Sequence, residues 1–348
     1  MKFASRCLPT GKLPYENVGA ATRMMAKLFE NMPYIPVLPK VSAEDTILKR
    51  TVSNIPGFCI DDKGHLIIKK DRDFEGKFAR LERAFSKPSK DTLDEFGFDA
   101  VFLEKFLQML KKFKSPQACV NLIGPFSISQ MIVTDYPLPL LTDKSYLKLF
   151  IDAVCVKAFW IIEKIKEYSP ETVPIIMLEE PILGRFGEIK RQDESITVEV
   201  VTRLFSRTIE KIKTAGADVG IQCLDKCNWQ IPINAGVDLI TFDAYNNPNN
   251  LNIIPDTVAD FISRGGKINW GIVPTMTEAI VKSLNIEYLK KRLFTTFDGL
   301  VMAGVPSTFV YNSAVVSPQG DLDHLPLIFA EKALILTSQL SKKIPVLS

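Results

Sequence analysis

The chain has little histidine. Only His65 and His324 occur in 348 residues, and both lie outside its recurring loop motifs. No Ser-His-Asp nucleophile set is arguable from so few, and neither histidine is given a catalytic role. No Gly-rich dinucleotide or phosphate loop follows any apolar run. Charge of one sign is not in excess either: 43 Lys and Arg oppose 40 Asp and Glu, for a net charge of +3. No basic field therefore argues for nucleic acid or a membrane surface as partner. The basic "LKKFKSP" reads as the solvated end of a helix. No uncharged apolar run reaches the roughly 18 residues of a membrane span; "LFIDAVCVKAFWIIEKI" is broken by Asp152 and Lys157. The opening "MKFASRCLPTGKLPYENVG" lacks the apolar core of a signal peptide. Six cysteines are scattered rather than framed at close spacings, as suits reduced thiols. The expectation is a soluble, cytoplasmic protein.

What is present is an alternation. Short apolar runs at 2–8, 35–41, 118–124, 174–180, 219–224, 237–243, 267–273 and 307–313 read as strands. Amphipathic helical patterns fall between them. Within 195–215, Val198, Val201, Leu204 and Phe205 share one helical face. Gly216 and Gly265 stand where left-handed helix caps are required. The strand runs are continuously apolar, as a sheet buried on both faces demands. Eight such runs predict an α/β fold of the (β/α)8 TIM-barrel type, in one domain over 1–348. Segment 42–117 is long for one connection. It reads as an elaboration between strands 2 and 3, with a hairpin "FCIDDKGHLIIKKD" turning at Lys-Gly and two helical patterns.

In such barrels the site is built at the C-terminal ends of the strands. Those ends read "TGKLPY", "GPFS", "LEEP", "QCLDKCNW", "FDAY", "WGIVPT" and "NSAVVSPQG". Pro14, Pro125, Pro181, Pro274 and Pro318 stiffen them. A pocket for a small polar or anionic substrate is expected there. Its catalytic candidates are Glu179, Asp243 and Lys12. Its substrate-binding candidates are Gly11, Tyr15, Ser127, Glu180, Gln222, Cys223, Cys227, Trp229, Tyr245, Trp270 and Gln319.

"GPFS", "LEEP", "CNWQIPINAGVDLITFDAY", "GGKINWGIVPT" and "VSPQG" resemble the uroporphyrinogen decarboxylase and cobalamin-independent methionine synthase superfamily. The likeness is to its short single-barrel members similar to the methionine synthase C-terminal half, and it runs over nearly the whole chain. That resemblance implies a zinc ion held by a His-x-Cys pair, an acidic residue and a later cysteine. The zinc makes a substrate thiol into a thiolate that attacks a methyl group on a folate, pterin or corrinoid. It also implies a substrate amine contact at Glu179, and a corrinoid methyl-carrier protein as a candidate partner. Here the family's histidine falls on Gln222, its paired cysteine on Leu224 and its later cysteine on Gln319; only Asp243 remains. Leu224 cannot ligate, and amide carbonyls are poor zinc ligands. The family's zinc site is therefore not expected, and no metal ligand is assigned.

Several residues carry two readings. Cys223 and Cys227 are either a displaced Cys-x3-Cys metal or redox pair or two ordinary buried thiols, and the second is favoured. Lys12 either binds an anionic substrate group or pairs with a strand-end carboxylate. Glu179 and Glu180 are adjacent on a strand, so one of them enters the mouth. Trp229 and Trp270 either wall a planar ligand or fill the core. Ser127 either meets a substrate carboxylate or caps the next helix. Asp243 and Tyr245 share a face.

Three functions follow: a methyltransferase-type barrel with altered or absent zinc chemistry, a metal-free lyase similar to uroporphyrinogen decarboxylase, and a barrel that binds a pterin, corrinoid or methyl-carrier without turnover. The lyase reading needs arginines at the mouth, where Arg6 and Arg185 are the nearest candidates.

Overall fold

The computed structural model describes residues 5–9, 11–133 and 140–348. Six strands form one all-parallel, curled sheet in sequence order: β3 (Gln117–Ile123), β4 (Val173–Glu179), β5 (Asp218–Gln222), β6 (Leu239–Phe242), β7 (Lys267–Val273) and β8 (Ala314–Pro318). Helices lie in every connection, as parallel neighbours require. The pair β1 (Phe58–Ile60) and β2 (Leu66–Ile68) is the expected hairpin, antiparallel, with Gly64 at φ +82° in its turn.

Both edges of the large sheet are covered by chain that pairs at single points. Cys7 bridges Val316 of β8 in parallel, Tyr34 bridges Cys119 of β3, and Lys12 bridges Val37 between the two segments. The run 35–41 is not a continuous strand: Pro36 and Pro39 remove two ladder donors, leaving Val37 as its bridged residue. Arg50 pins this segment from below. It donates to Ile35 O and Pro36 O at 3.0 and 2.9 Å and makes a two-pronged pair with Asp45 at 2.7 and 2.8 Å, all buried. Of the run 2–8, residues 2–4 lie outside the described residues.

One expectation fails outright. Residues 307–313 form a helix, Ser307–Ser313, and the strand follows it at 314–318. Phe294 and Phe297 pack on Tyr311 at 5.6 and 4.9 Å between ring centroids, so this segment buries one side against a helix. The next five residues are buried throughout, as a central parallel strand must be.

Register decides what each face carries. Glu179 pairs with Gln222, Gln222 with Thr241, and Thr241 with Asn269. Residues paired across a parallel sheet project to the same side. One face therefore bears Asn121, Glu179, Gln222, Thr241, Asn269 and Ser317 toward its C-terminal end. The other bears Leu178, Ile221, Ile240, Phe242 and Trp270. Trp270 packs in a tilted contact, 5.1 Å between ring centroids, on Phe297 of helix Ile286–Met302, so the apolar face is the helix-covered one. Asn269 donates to Thr241 Oγ1 and Ser317 Oγ at 3.3 and 3.1 Å, knitting the polar face across three strands.

Candidate active site

Glu179 ends β4 on the polar face. Asn121, on β3, donates Nδ2 to its Oε1 at 2.6 Å, and Oε2 has no donor among the described residues. Burial pushes the Glu179 pKa up to about 7; Asn121 pulls against it, Asp321 adds to the rise, and Lys12 and Arg50 oppose it. The carboxyl group is thus poised between its two protonation states near neutrality.

Glu180 points the other way and is fully buried. Its Oε1 accepts from Phe126 N at 3.1 Å, and its Oε2 from Ser127 N and Oγ at 2.7 and 2.6 Å. Two of these are first-turn amides and the third a first-turn hydroxyl of helix Pro125–Met131, which lacks a side-chain cap of its own. Gly124 makes room: a Cβ there would stand 2.0 Å from Glu180 Oε1. Burial raises the Glu180 pKa to about 8 against those three bonds. Ser127 Oγ also accepts from Ile182 N at 3.2 Å, so its hydroxyl is occupied within this cap.

Lys12 is held twice by Asp321: Nζ meets Oδ2 at 3.0 Å, and the backbone N donates to Oδ1 at 2.9 Å. Burial alone would lower the lysine's pKa; the bond and charge of Asp321 outweigh it and leave it raised. Gly11, at φ +83°, permits this turn, since a Cβ would lie 2.5 Å from Asp321 Oδ1. Its carbonyl accepts from Tyr34 Oη at 3.1 Å. Tyr15 is buried and donates to Glu331 at 3.0 Å.

Across the sheet, Asp243 follows β6 and is ringed by amides. Asn246 N donates to Oδ1 at 2.9 Å, Asn246 Nδ2 to Oδ2 at 2.6 Å, and Gln319 Nε2 to Oδ2 at 2.9 Å. Gln319 Oε1 takes the Thr275 hydroxyl at 3.4 Å, and Thr275 O meets His324 Nε2 at 2.8 Å. Gln222 is 8% exposed, and its Oε1 has no hydrogen-bond partner among the described residues. Tyr245 is half-buried; its hydroxyl meets that of Tyr288 at 3.2 Å, and the Arg292 guanidinium lies 4.9 Å from its ring centre.

Trp229 and Trp270 are buried with Phe242 between them, at 6.2 and 5.3 Å, and form part of the core. Cys223 and Cys227 are also buried, as free thiols. Cys223 Sγ reaches Asp225 O at 3.8 Å. Burial, then Cys223, holds the Cys227 pKa far above the ordinary thiol value.

No protein-family model matches the chain, and no curated protein matches it. Solved structures do. One is a B12-independent methionine synthase from Shewanella sp. W3-18-1 in complex with selenomethionine: 17% identity, TM-score 0.45, 71% of this chain and 68% of that one. Another is a beta-N-acetylhexosaminidase, at 10% identity and TM-score 0.46 over 98% of this chain and 72% of that one. A third is a Bacteroidetes-affiliated GH5 cellulase, at 11% and 0.42 over 73% and 75%.

The donor set does not fit zinc. Of the four positions at which the sequence resemblance implies ligands, Leu224 has no donor atom. Gln222 and Gln319 offer only amides, and the Gln319 amide nitrogen is spent on Asp243. Among the described residues, no group of three or more His, Cys, Asp and Glu side chains is gathered to hold a metal ion. The two arginines weighed for the mouth are engaged elsewhere: Arg6 with Ile344 O and Pro345 O, Arg185 with Glu188. No helix among the described residues is long and apolar enough to cross a membrane.

Sequence reading missed Asn121, Asn246, Asp321 and Arg50. Asn246 and Asp321 directly follow the motifs "FDAY" and "VSPQG", so extending each motif by one residue would have found them. Asn121 sits mid-strand, three residues before the glycine of "GPFS", where only alternation marks its face. Nothing local to Arg50 signals its part.

Proposed function

We propose that the chain is a methionine-synthase-like barrel enzyme of the methyltransferase type that works without the family's zinc site, on a small polar substrate at the C-terminal ends of the strands. The bridged segments around Cys7–Lys12 and Tyr34–Val37 are read as the first two strand positions of a closed (β/α)8 barrel. The whole of 1–348 is then one domain, with 42–117 as its elaboration.

The observation that carries this reading is the contrast between two carboxyl groups on one polar face. Asp243 is clamped in place by three hydrogen-bond donors. Glu179 is half-buried, bonded once, and titrates near neutrality. Environments that differ in this way suit an orienting group and a proton-transferring group. In the proposed mechanism Glu179 gives or takes the proton at its Oε2, and Asp243 orients the acceptor. Gln222 Oε1 receives a substrate hydrogen bond, and a substrate anion must displace Asp321 to reach Lys12. The methyl donor is a pterin, folate or corrinoid, free or on a carrier protein. The lyase alternative is disfavoured because Arg6 and Arg185 are committed elsewhere.

The test is transfer of an isotopically labelled methyl group from pterin and corrinoid donors to a panel of small thiols and amines, in the presence of chelator, read by mass spectrometry. Transfer should survive chelation and fall by about a hundredfold in Glu179→Gln and Asp243→Asn while melting temperatures hold. Donor binding without transfer would make the barrel a carrier-binding protein instead. Transfer abolished by chelation would end the zinc-independent reading.

A further inference from the structure

A second site lies on the outer helical layer, away from the strand ends. Helices Phe74–Ser86, Lys144–Tyr168 and Val198–Thr214 enclose a groove of about 740 Å³. That volume is within the roughly 300–1,000 Å³ range of small-molecule sites. Its floor is apolar: Phe85, Leu147, Ile151 and Val200. Its rim is basic. Arg203, Arg207 and Lys211 follow one another at four-residue spacing on one helical face. Lys144 and Lys148 stand on the facing helix.

The charges are not equally committed. Lys148 is bound to Glu82 and to the buried Asp152. Arg203 and Arg207, both exposed, have neither an ion pair nor a hydrogen bond among the described residues, and Glu210 is the other acidic group on the lining. Phe85 is the one aromatic ring of the floor. The ammonium groups of Lys148 and Lys211 each lie 5.6 Å from its centre, so the ring is already engaged. That argues against a stacked nucleobase. An aliphatic strip beside two unpaired guanidinium groups instead complements a flexible apolar chain ending in an anion.

We infer that this groove binds a long-chain acyl carboxylate, with its chain along Leu147, Ile151 and Val200 and its carboxylate on Arg203 and Arg207. The site is independent of the strand-end chemistry.

The probe is dodecanoate, titrated calorimetrically below its micelle concentration into the full chain and into Arg203→Gln/Arg207→Gln. Wild type should bind one molecule per chain, and the double variant at least tenfold more weakly with an unchanged melting temperature. Dodecyltrimethylammonium, of equal chain length and opposite charge, should not compete. Absence of saturable dodecanoate binding would overturn the inference. So would equal binding by the double variant, or competition by the cationic amphiphile. If the double variant melts early, Val200→Asp provides the second reading: it places a carboxylate on the partly exposed floor, should abolish dodecanoate binding, and overturns the site if it does not.

Discussion

Gln319 donates its amide hydrogen to Asp243 at 2.9 Å, joining the loop after β8 to the loop after β6. In the family that the sequence resembles, these two positions would share a zinc ion. Here an uncharged amide donates directly to the Asp243 carboxyl group. Substituting Gln222→His, Leu224→Cys and Gln319→Cys together should raise zinc content toward one ion per chain, whereas the parent purified without added zinc should hold far less. Mass-spectrometric metal analysis of both proteins decides it; one zinc per parent chain would contradict the amide reading.

Glu179 makes stability depend on pH. Its pKa in the folded chain, about 7, lies above the ordinary carboxylate value of 4.5. Between those values the folded state keeps a proton that the unfolded state has lost. Stability therefore falls as pH rises from about 4.5 to 7, and the penalty is complete above 7. Glu179→Gln keeps an acceptor for Asn121 and cannot ionise. The variant should lose less stability than the parent between pH 5 and pH 8 in paired denaturant titrations. Equal losses would show that Glu179 titrates normally.

Lys157 gives the opposite slope. It is buried on helix Lys144–Tyr168 and donates to Ser53 O and Gly97 O. Burial lowers its pKa to about 7, against the charge of Asp99. Above that value the unfolded chain holds a proton that the folded one lacks, so stability climbs from about pH 7 toward pH 10. Lys157→Met should flatten the rise in melting temperature between pH 7 and pH 9.5. A rise as steep as the parent's would locate its cause elsewhere.

Arg50 holds the 35–36 backbone, next to Val37, which bridges Lys12. Arg50→Leu leaves Asp45 buried with only the Val101 N–H as a donor, and two carbonyls without donors. The cost should be about 3–5 kcal/mol in denaturant unfolding. Arg50→Lys should recover only part of it, because one ammonium cannot span both oxygens of Asp45 and both carbonyls. A loss below about 1 kcal/mol in Arg50→Leu would show that the pair is dispensable.

How much of this was legible in the chain varies by element. The strands at 118–124, 174–180 and 267–273 were readable because an all-apolar run is what burial on both faces selects. Gly216 and Gly265 marked helix ends because φ near +92° excludes most side chains. Residues 307–313 misled because Thr308, Phe309, Val310 and Tyr311 favour strands, while packing against Phe294 and Phe297 makes them helical.

The sequence by itself determined the α/β class, and that Leu224 cannot ligate a metal, since a leucine side chain has no lone pair in any fold. Only the tertiary structure decided what each polar group does. Alternation along β4 turned Glu179 to the polar face and left Glu180 to cap a helix. Contact between residues far apart in the chain paired Lys12 with Asp321 and Asp243 with Gln319. Those partners lie 309 and 76 positions away, and such separations leave no periodic trace in the sequence, because only the closing of the chain brings their charges together.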